Sequence, residues 1–321
     1  MTSHSTPQAS FVTPEAAKKL ATTPGTLALI GFGGPRDAGD GQSPWIGTGL
    51  EPLAPPPVQA WRANTPVEYG RLGNFTVRTT PGFALLATTL QNPEDPEPAA
   101  DELYRELIAA AARLGCPHLL RIWQYLPRIT ESRHGEDRYR AYCAGRARAF
   151  EETDAGDAAL PAACLLGDAG ERILLYALIA DKPGRQIENP RQQSAFRYPL
   201  RYGRKSPSFS RATAFGTSGE ETLFISGTSS ITGHASRHTK TLDQLEETLR
   251  NLEALVKNWH SNAGGLAAIA PLKVYLRHAS DLDAVRAALA KRLPEGLAVA
   301  YLRADVCRPE LNVEIEGIVQ P

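Results

Sequence analysis

The sequence predicts an α+β fold built from two similar halves, each a mixed sheet covered on one face by helices. The order strand, helix, strand, helix, strand can be traced twice along the 321 residues. Hydrophobic residues make up 42% of the chain, which is enough to form a core and excludes wholesale disorder. The length corresponds to about two average domains.

The elements of the first half begin at residue 83. Runs of apolar residues mark the strands, and apolar residues at helical spacing mark the helices. The predicted elements are a strand at 83–90, a helix capped by Asp101 and ended by Gly115, a strand at 118–126, a helix at 138–150 and a buried strand at 173–180.

The second half repeats this order. A capping-box pattern at 241–244 precedes a leucine stripe that predicts a long helix. The predicted elements are a strand at 222–226, this long helix, a strand at 271–278, a helix at 282–293 and strands at 298–306 and 313–319.

These elements suggest four segments. Residues 1–25 are small and polar and are expected to be flexible. Residues 26–188 form the predicted N-terminal domain and 213–321 the C-terminal domain. The segment 189–212 between them is rich in Arg and Tyr, unlike an ordinary linker, so it either lines a site or lies on the surface.

Composition narrows the class of protein. The 35 basic and 35 acidic residues cancel, which argues against a nucleic-acid-binding protein. No signal peptide and no apolar run of membrane-spanning length is present, so we expect a soluble cytoplasmic protein that has no membrane partner. The four cysteines show neither zinc-site spacing nor a disulfide framework, and His234 and His238 lack a third ligand, so no metal site is expected.

Two groups of residues could carry chemistry. Tyr139 and Arg146 lie seven positions apart, so their side chains share one face of the predicted helix and could bind an anion. The simpler interpretation is a solvated Arg-rich face. In the last strand, Glu314 and Glu316 share one face. The alternation alone favours surface carboxylates, and the alternative is a buried acid at a domain seam.

Residues 221–319 resemble the Rid (YjgF-type) proteins. The stretches that carry this resemblance are 223–230, 244–252 and 313–317. In that family the first Glu of the last strand is catalytic, at a cleft between the subunits of a trimer, and that position is Glu314 here. The family's carboxylate-binding Arg falls at Val299. The resemblance therefore argues against a simple imine deaminase, and groups that bind a carboxylate must lie elsewhere.

A longer set of stretches resembles the chorismatases, over roughly residues 60–320. These stretches are 189–192, 196–199, 206–211, 225–228 and 305–309. The resemblance implies a degenerate Rid-like N-terminal half and a Rid-like C-terminal half. It further implies that chorismate is the substrate and that no cofactor is needed. By the family pattern, Glu314 is the catalytic acid/base, and the residues that contact the substrate are Tyr139, Arg146, Tyr198 and Arg211.

The product is left open between three outcomes. Cleavage of the enolpyruvyl ether gives pyruvate and either 3-hydroxybenzoate, 4-hydroxybenzoate or, by hydrolysis, a dihydroxycyclohexadiene carboxylate. Within the family the positions of Ser229 and Cys307 bear on this choice. Ser229 departs from the Ala or Gly expected there, and Cys307 fits the branch that forms a hydroxybenzoate, so a hydroxybenzoate is favoured, 3-hydroxybenzoate before 4-hydroxybenzoate. A non-catalytic Rid-like metabolite-binding protein is the alternative of another class, and the chain is expected to be a monomer or a homotrimer.

Overall fold

Three main β-sheets surround one core in this protein, and each carries helices on its outer face. The computed structural model describes residues 5–133, 135–153, 156–217 and 219–321. The first sheet, in chain order, has four strands, and the second and third sheets have six each. None of the helices within the described residues combines the length and the apolar character that a membrane span requires.

The four-stranded sheet is formed by the N-terminal residues and was not predicted. Its strands, in the spatial order β1-β4-β2-β3, are β1 (Gln8–Val12), β2 (Thr26–Gly31), β3 (Trp45–Gly47) and β4 (Val58–Arg62), and helix α1 (Pro14–Leu20) covers its outer face. This arrangement differs from the flexible terminus expected for residues 1–25. Strand β1 pairs with β4, and Ala9 N donates to Oε1 of Gln320 at 2.6 Å, so this segment is held by its own sheet and by a residue near the C-terminus.

The second sheet has the spatial order β11-β8-β12-β7-β6-β5. Its region contains β5 (Glu68–Leu72), β6 (Phe75–Thr80), β7 (Phe83–Gln91), helix α2 (Pro96–Arg113), β8 (His118–Tyr125), a small hairpin of β9 (Ser132–Arg133) and β10 (Glu136–Asp137), helix α3 (Arg138–Glu151), β11 (Ala162–Leu166) and β12 (Arg172–Ala180). Helix α2 begins earlier than predicted. Asp95 rather than Asp101 caps it, because Pro96 suits the first helical position.

The third sheet has the spatial order β13-β14-β15-β20-β18-β19. Its region contains β13 (Arg185–Ile187), β14 (Ala212–Phe215), β15 (Thr222–Ser229), a hairpin of β16 (Ile231–Thr232) and β17 (Ala235–Ser236), helix α4 (Thr241–Trp259), β18 (Ile269–Leu276), helix α5 (Leu282–Leu289), β19 (Val299–Arg303) and β20 (Val313–Val319). The predicted capping box at 241–244 is wrong. Lys240 occupies the N-cap position, Thr241 instead donates to Asp281, and Gln244 donates to the carbonyl of Glu310.

The inner faces of the three sheets meet at aromatic side chains. Trp61 of the first sheet lies 5.6 Å from Trp123 of the second and 6.2 Å from Phe224 of the third, measured between ring centroids. The outer face of the third sheet packs against α4 and α5 in a separate core. Strand β20 is therefore covered on both faces, and its inner face points into the seam between the sheets.

Strand β11 closes this seam at one edge. Its Ala163 N donates to Oγ of Ser226 at 2.9 Å, and the neighbouring Ala162 N donates to Oγ1 of Thr213 at 2.8 Å. Gly167 and Asp305 exchange two backbone hydrogen bonds at 2.8 and 2.7 Å. These bonds place α3, which precedes β11, beside the third sheet.

Candidate active site

A cavity of about 340 Å³ lies where the second and third sheets meet. Its walls come from α3, β11, the segment 189–212, strands β15 and β20, and the loop between β19 and β20. All seven residues named as site residues from the sequence line this cavity, namely Tyr139, Arg146, Tyr198, Arg211, Ser229, Cys307 and Glu314. Their assembly in one place is observed, and the role of each stays a prediction.

Glu314 is a buried carboxyl on the inner face of β20. Its neighbours Val313 and Ile315 pack into the core under α4, so the alternation of the strand turns Glu314 the other way. The side chain accepts a hydrogen bond from Oγ of Ser229 at 3.2 Å. Burial, with the negative charge of Glu316 second, raises the pKa of Glu314 from its ordinary value to about 8. The group is therefore protonated at neutral pH, as a general acid must be.

Gly227 makes room for this carboxyl. A Cβ added at Gly227 would collide with Oε1 of Glu314 and would lie 3.2 Å from Cβ of Cys164. Strand β15 also changes register between Ile225 and Thr228 opposite β20, so the backbone bulges at this point. The absence of a side chain at Gly227 is thus a requirement of the observed Glu314 position.

Glu316 lies two residues further along the same face and has a different environment. Its Oε1 accepts hydrogen bonds from the Tyr275 hydroxyl at 2.7 Å and from Trp123 Nε1 at 3.1 Å. Lys273 Nζ lies 2.6 Å from the same oxygen, and Arg121 pairs with the other oxygen. Burial alone would raise the pKa of Glu316, but Lys273 and Arg121 outweigh it and lower this pKa to about 2.

The surface position that the alternation favoured for both glutamates is wrong. Glu314 is 5% exposed and Glu316 is 1% exposed. Strand β20 lies between β15 and β18, and the second sheet covers its polar face. The alternation therefore separates two buried environments rather than core from solvent.

Arg146 is a buried cation that lacks an acidic partner. It lies on α3 and is 1% exposed, so the solvated face that the simpler interpretation assumed is wrong at this position. Its Nη2 contacts Sγ of Cys143 at 3.5 Å, and its Nε has no hydrogen-bond partner. No carboxylate of the described residues pairs with it. Burying such a charge is costly unless a ligand supplies the missing acceptors.

Arg211 and Tyr198 form a hydrogen-bonded pair. Nη2 of Arg211 donates to the Tyr198 hydroxyl at 2.7 Å and to the carbonyl of Gln193 at 2.7 Å. The guanidinium carbon also lies 5.3 Å from the ring centre of Phe209. Arg211 is 4% exposed, its Nε has no partner, and no salt bridge joins it to an acid within the described residues. The segment 189–212 therefore lines the cavity, which resolves the two alternatives left open for it.

Arg308 lines the cavity and was not singled out from the sequence. Its guanidinium carbon lies 4.1 Å from the ring centre of Tyr202 and 5.5 Å from that of Tyr198. Its Nη1 donates to Oγ of Ser236 at 3.0 Å. A signal existed, since Arg308 belongs to the stretch 305–309 that carries the family resemblance. A single Arg in a loop nevertheless has no periodicity that reveals its direction.

Thiols border the cavity as well. Cys164 and Cys307 line it, and the structure holds all four cysteines unpaired. Burial, with the charge of Glu314 second, raises the pKa of Cys307 to about 12, so this thiol stays protonated. No group of three or more metal-ligating side chains occurs among the described residues.

Known proteins resemble the chain over most of its length. The family model "Chorismatase FkbO/Hyg5-like, N-terminal" matches residues 59–179. A chorismatase from Streptomyces rapamycinicus is 36% identical over 275 residues, which cover 82% of this chain and 82% of that protein. A 3-hydroxybenzoate synthase from Streptomyces hygroscopicus is 32% identical over 285 residues, which cover 84% of this chain and 83% of that protein.

The fold agrees with these sequence matches. A crystal structure of a chorismatase matches this chain with a TM-score of 0.89 at 31% identity, covering 99% of this chain and 100% of the other. The predicted α+β class is thereby confirmed. The resemblance stated from the sequence is also confirmed, and the chain belongs to the chorismatase family.

Proposed function

We propose that this chain cleaves the enolpyruvyl ether of chorismate and releases pyruvate and a hydroxybenzoate, with 3-hydroxybenzoate favoured. One observation carries the proposal. The protonated carboxyl of Glu314 shares a cavity with Arg146 and Arg211, and no carboxylate of the described residues pairs with either guanidinium. The relatives named chorismatase and 3-hydroxybenzoate synthase support the same substrate.

The two arginines suit a rigid dicarboxylate. Chorismate carries one carboxylate on its ring and one on the enolpyruvyl group. We assign the enolpyruvyl carboxylate to Arg211 and Tyr198. The charge of Arg211 acts on Glu314, so Arg211 lies on the side of the cavity where Glu314 must reach the enolpyruvyl methylene. The ring carboxylate then falls to Arg146 and Tyr139. Each charge-assisted hydrogen bond contributes about 1.5–3 kcal/mol.

The proposed reaction begins with a proton transfer. Glu314 donates its proton to the enolpyruvyl methylene carbon, whose double-bond electrons form the new C–H bond and leave an oxocarbenium ion at the ether carbon. The Glu314 carboxylate then stabilises this cation. The oxygen of the neighbouring ring hydroxyl then attacks the ring carbon that bears the ether, the bond from this carbon to the ether oxygen breaks as pyruvate leaves, and the hydroxyl proton returns to the Glu314 carboxylate. The resulting epoxide opens, and transfer of a ring proton to its oxygen makes the ring aromatic. Chorismate is thus divided into two products with no net consumption of water.

Hydrolysis is the competing branch. Attack by water on the oxocarbenium carbon would add one water overall and leave a dihydroxycyclohexadiene carboxylate. Two features support the aromatic branch. The hydroxyl of Ser229 donates to Glu314 and is therefore engaged, and Cys307 presents a protonated thiol, which is a poor partner for an ordered water. The preference for 3-hydroxybenzoate over 4-hydroxybenzoate rests on the family resemblance and on the relative named 3-hydroxybenzoate synthase.

The test is incubation of purified protein with chorismate. Pyruvate is followed with a coupled dehydrogenase, and the ring product is identified by chromatography and mass spectrometry. We expect equimolar pyruvate and 3-hydroxybenzoate. A sole ring product heavier by one water would reject the aromatic branch and keep the family's reaction. Chorismate binding with no pyruvate at all would contradict catalysis and favour a metabolite-binding protein.

Variants test the assigned roles. Glu314→Gln should lower pyruvate release by at least about 100-fold while calorimetry still detects chorismate binding. Arg146→Ala and Arg211→Ala should each raise KM by about tenfold or more, since each removes a charge-assisted contact. Arg148→Ala is the matched control, because Arg148 lies on the same helix in a surface ion pair. A normal KM in both cavity variants would contradict the binding of a dianion.

A further inference from the structure

Glu316 is a fully buried carboxylate next to the proposed acid, and the reaction above does not use it. Residues i and i+2 of a strand point to the same side, about 7 Å apart. Glu316 accepts hydrogen bonds from Trp123 and Arg121 of β8 and from Tyr275 of β18, and it forms an ion pair with Lys273 of β18. One carboxylate thus joins the second sheet to the third beside the cavity.

The charges around Glu314 are unevenly distributed. The titratable groups that act on it come from four other parts of the chain and from its own strand, and they are Arg121 on β8, Cys164 on β11, Arg211 before β14, Cys307 in the loop before β20, and Glu316 on β20. The two thiols have raised pKa values and are neutral. Glu316 is therefore the fixed negative charge in this set.

We propose that Glu316 is a positioning residue, whose fixed charge acts together with burial to keep the neighbouring Glu314 carboxyl protonated and whose bonds to both sheets hold β20 in the register that places Glu314 in the cavity. Two carboxylates on one dry strand face cannot both ionise at low cost. Glu316 takes the charge because it is surrounded by the two cations Arg121 and Lys273 and by two neutral donors, whereas Glu314 has the single hydroxyl of Ser229. The role assigned to Glu314 rests on the proposed function.

The first test is the pH profile of kcat/KM for pyruvate release. In the wild type we expect activity to fall on the alkaline side, with a midpoint near pH 8, where Glu314 loses its proton. Glu316→Gln removes the negative charge and leaves Arg121 and Lys273 in place, so the midpoint should move down by about one to three pH units. Tyr275→Phe is the matched control, since it removes a donor to the same oxygen without changing a charge, and it should leave the midpoint in place.

The second test does not need turnover. The infrared carboxyl band that disappears in Glu314→Gln reports the protonation of Glu314 in the protein without substrate. In Glu316→Gln this band should titrate at lower pH than in the wild type. Absence of pyruvate from wild-type protein would contradict the proposed function, whereas an unmoved band in folded Glu316→Gln would overturn the present proposal alone.

Glu316→Gln leaves two buried cations without an anion and can fail to fold. In that case Lys273→Met decides the question, because the pair of Arg121 and Glu316 stays neutral overall and one positive charge is removed. We expect the Glu314 band to titrate at higher pH in this variant. A band at the wild-type position would show that the cluster's charge does not act on Glu314 and would overturn the proposal. A purely structural role would lower stability in either variant and leave the band in place.

Discussion

Glu314 and Glu316 are the same residue type on one face of one strand, yet their pKa values are shifted in opposite directions. Burial raises the pKa of Glu314 to about 8, with no cation paired to it, whereas Lys273 and Arg121 lower the pKa of Glu316 to about 2 against the effect of burial. The difference comes from the partners, since both side chains are buried. One group can therefore supply a proton at neutral pH while the other supplies a fixed charge.

This difference predicts how stability depends on pH. The folded-state pKa of Glu314 lies above the ordinary value of 4.5, so the folded protein binds the extra proton and loses stability as pH rises from about 4.5 to 8. The slope from this group is at most about 1.4 kcal/mol per pH unit. Glu314→Gln should remove it, so the variant should gain stability relative to the wild type between pH 5 and pH 8. Urea unfolding at several pH values measures the free energy of unfolding of both proteins. A difference between them that stays the same from pH 5 to pH 8 would contradict the prediction.

Gly227 permits a separate prediction about position. Gly227→Ala should push the Glu314 carboxyl aside, because the added methyl group meets the flexible end of that side chain. A displacement of this size should lower kcat by about 100-fold and change stability little. Gly70→Ala is the matched control, since Gly70 also lies in a strand and a Cβ there meets nothing within 4 Å. Equal kcat in the two variants would show that the close approach of Gly227 to the Glu314 carboxyl does not affect turnover.

The sequence correctly predicted the strand at 313–319, but it wrongly placed the polar face of this strand in solvent. Alternation places Glu314 and Glu316 opposite Val313 and Ile315, but it cannot tell whether the polar face meets water or a second sheet. The partner Arg121 lies 195 positions away in the chain, and no local pattern announces that contact. The prediction that Glu314 lies in a site came from the resemblance to the chorismatases and not from the spacing of residues.

At the scale of elements, the segment 189–212 is held against the cavity by charged and aromatic contacts. Arg204 pairs with Glu97 and Glu136, and Lys205 pairs with Glu151 at 2.5 Å. On the other side, Arg308 stacks on Tyr202. These contacts connect the two six-stranded sheets through a stretch with little regular structure.

The stack of Arg308 predicts an effect on substrate binding. Arg308→Met removes the cation that holds the rings of Tyr198 and Tyr202, and such an interaction contributes about 0.5–2 kcal/mol. We expect KM for chorismate to rise by about tenfold with kcat changed less, as steady-state kinetics would measure. Arg303→Met is the matched control, because Arg303 forms an exposed ion pair with Glu51. A KM equal to that of the control would contradict this role for Arg308.

The elements with the strongest patterns were predicted best. Strand β12, which is a continuous apolar run, and helix α3 each begin and end within one residue of the predicted bounds. The start of α4 was misjudged because Thr241 bonds to Asp281, 40 positions away, instead of to its own helix. The four-stranded sheet was missed because its strands are short and because its own Trp61 is recognisable as a core residue only beside Trp123 of the second sheet.

At the scale of the whole molecule, the described residues of one chain line the cavity from two sheets. The second sheet and α3 contribute Tyr139, Arg146 and Cys164, and the third sheet contributes Ser229 and Glu314. The four-stranded sheet fills the remaining side of the common core. We therefore propose that a monomer is sufficient for activity, and the choice between monomer and trimer stays a prediction.

Light scattering coupled to size exclusion should give a mass near 34.7 kDa for the active species. Because Glu314, Arg146 and Arg211 of one chain line the same cavity, specific activity should stay constant when the protein is diluted. A trimer mass together with a loss of activity on dilution would contradict this prediction. Trimers that keep full activity after dilution to monomers would leave the sufficiency of the monomer standing.

The three sheets that share the Trp61 core have a consequence for how such a protein can change over generations. In a ring of identical subunits, one codon change alters every cleft of the ring in the same way. Here one wall is formed by Tyr139 and Arg146 on α3 and the opposite wall by Ser229 and Glu314 in the third sheet, so either wall can be substituted while the other is unchanged. Laboratory selection for a new ring product can therefore vary one wall at a time.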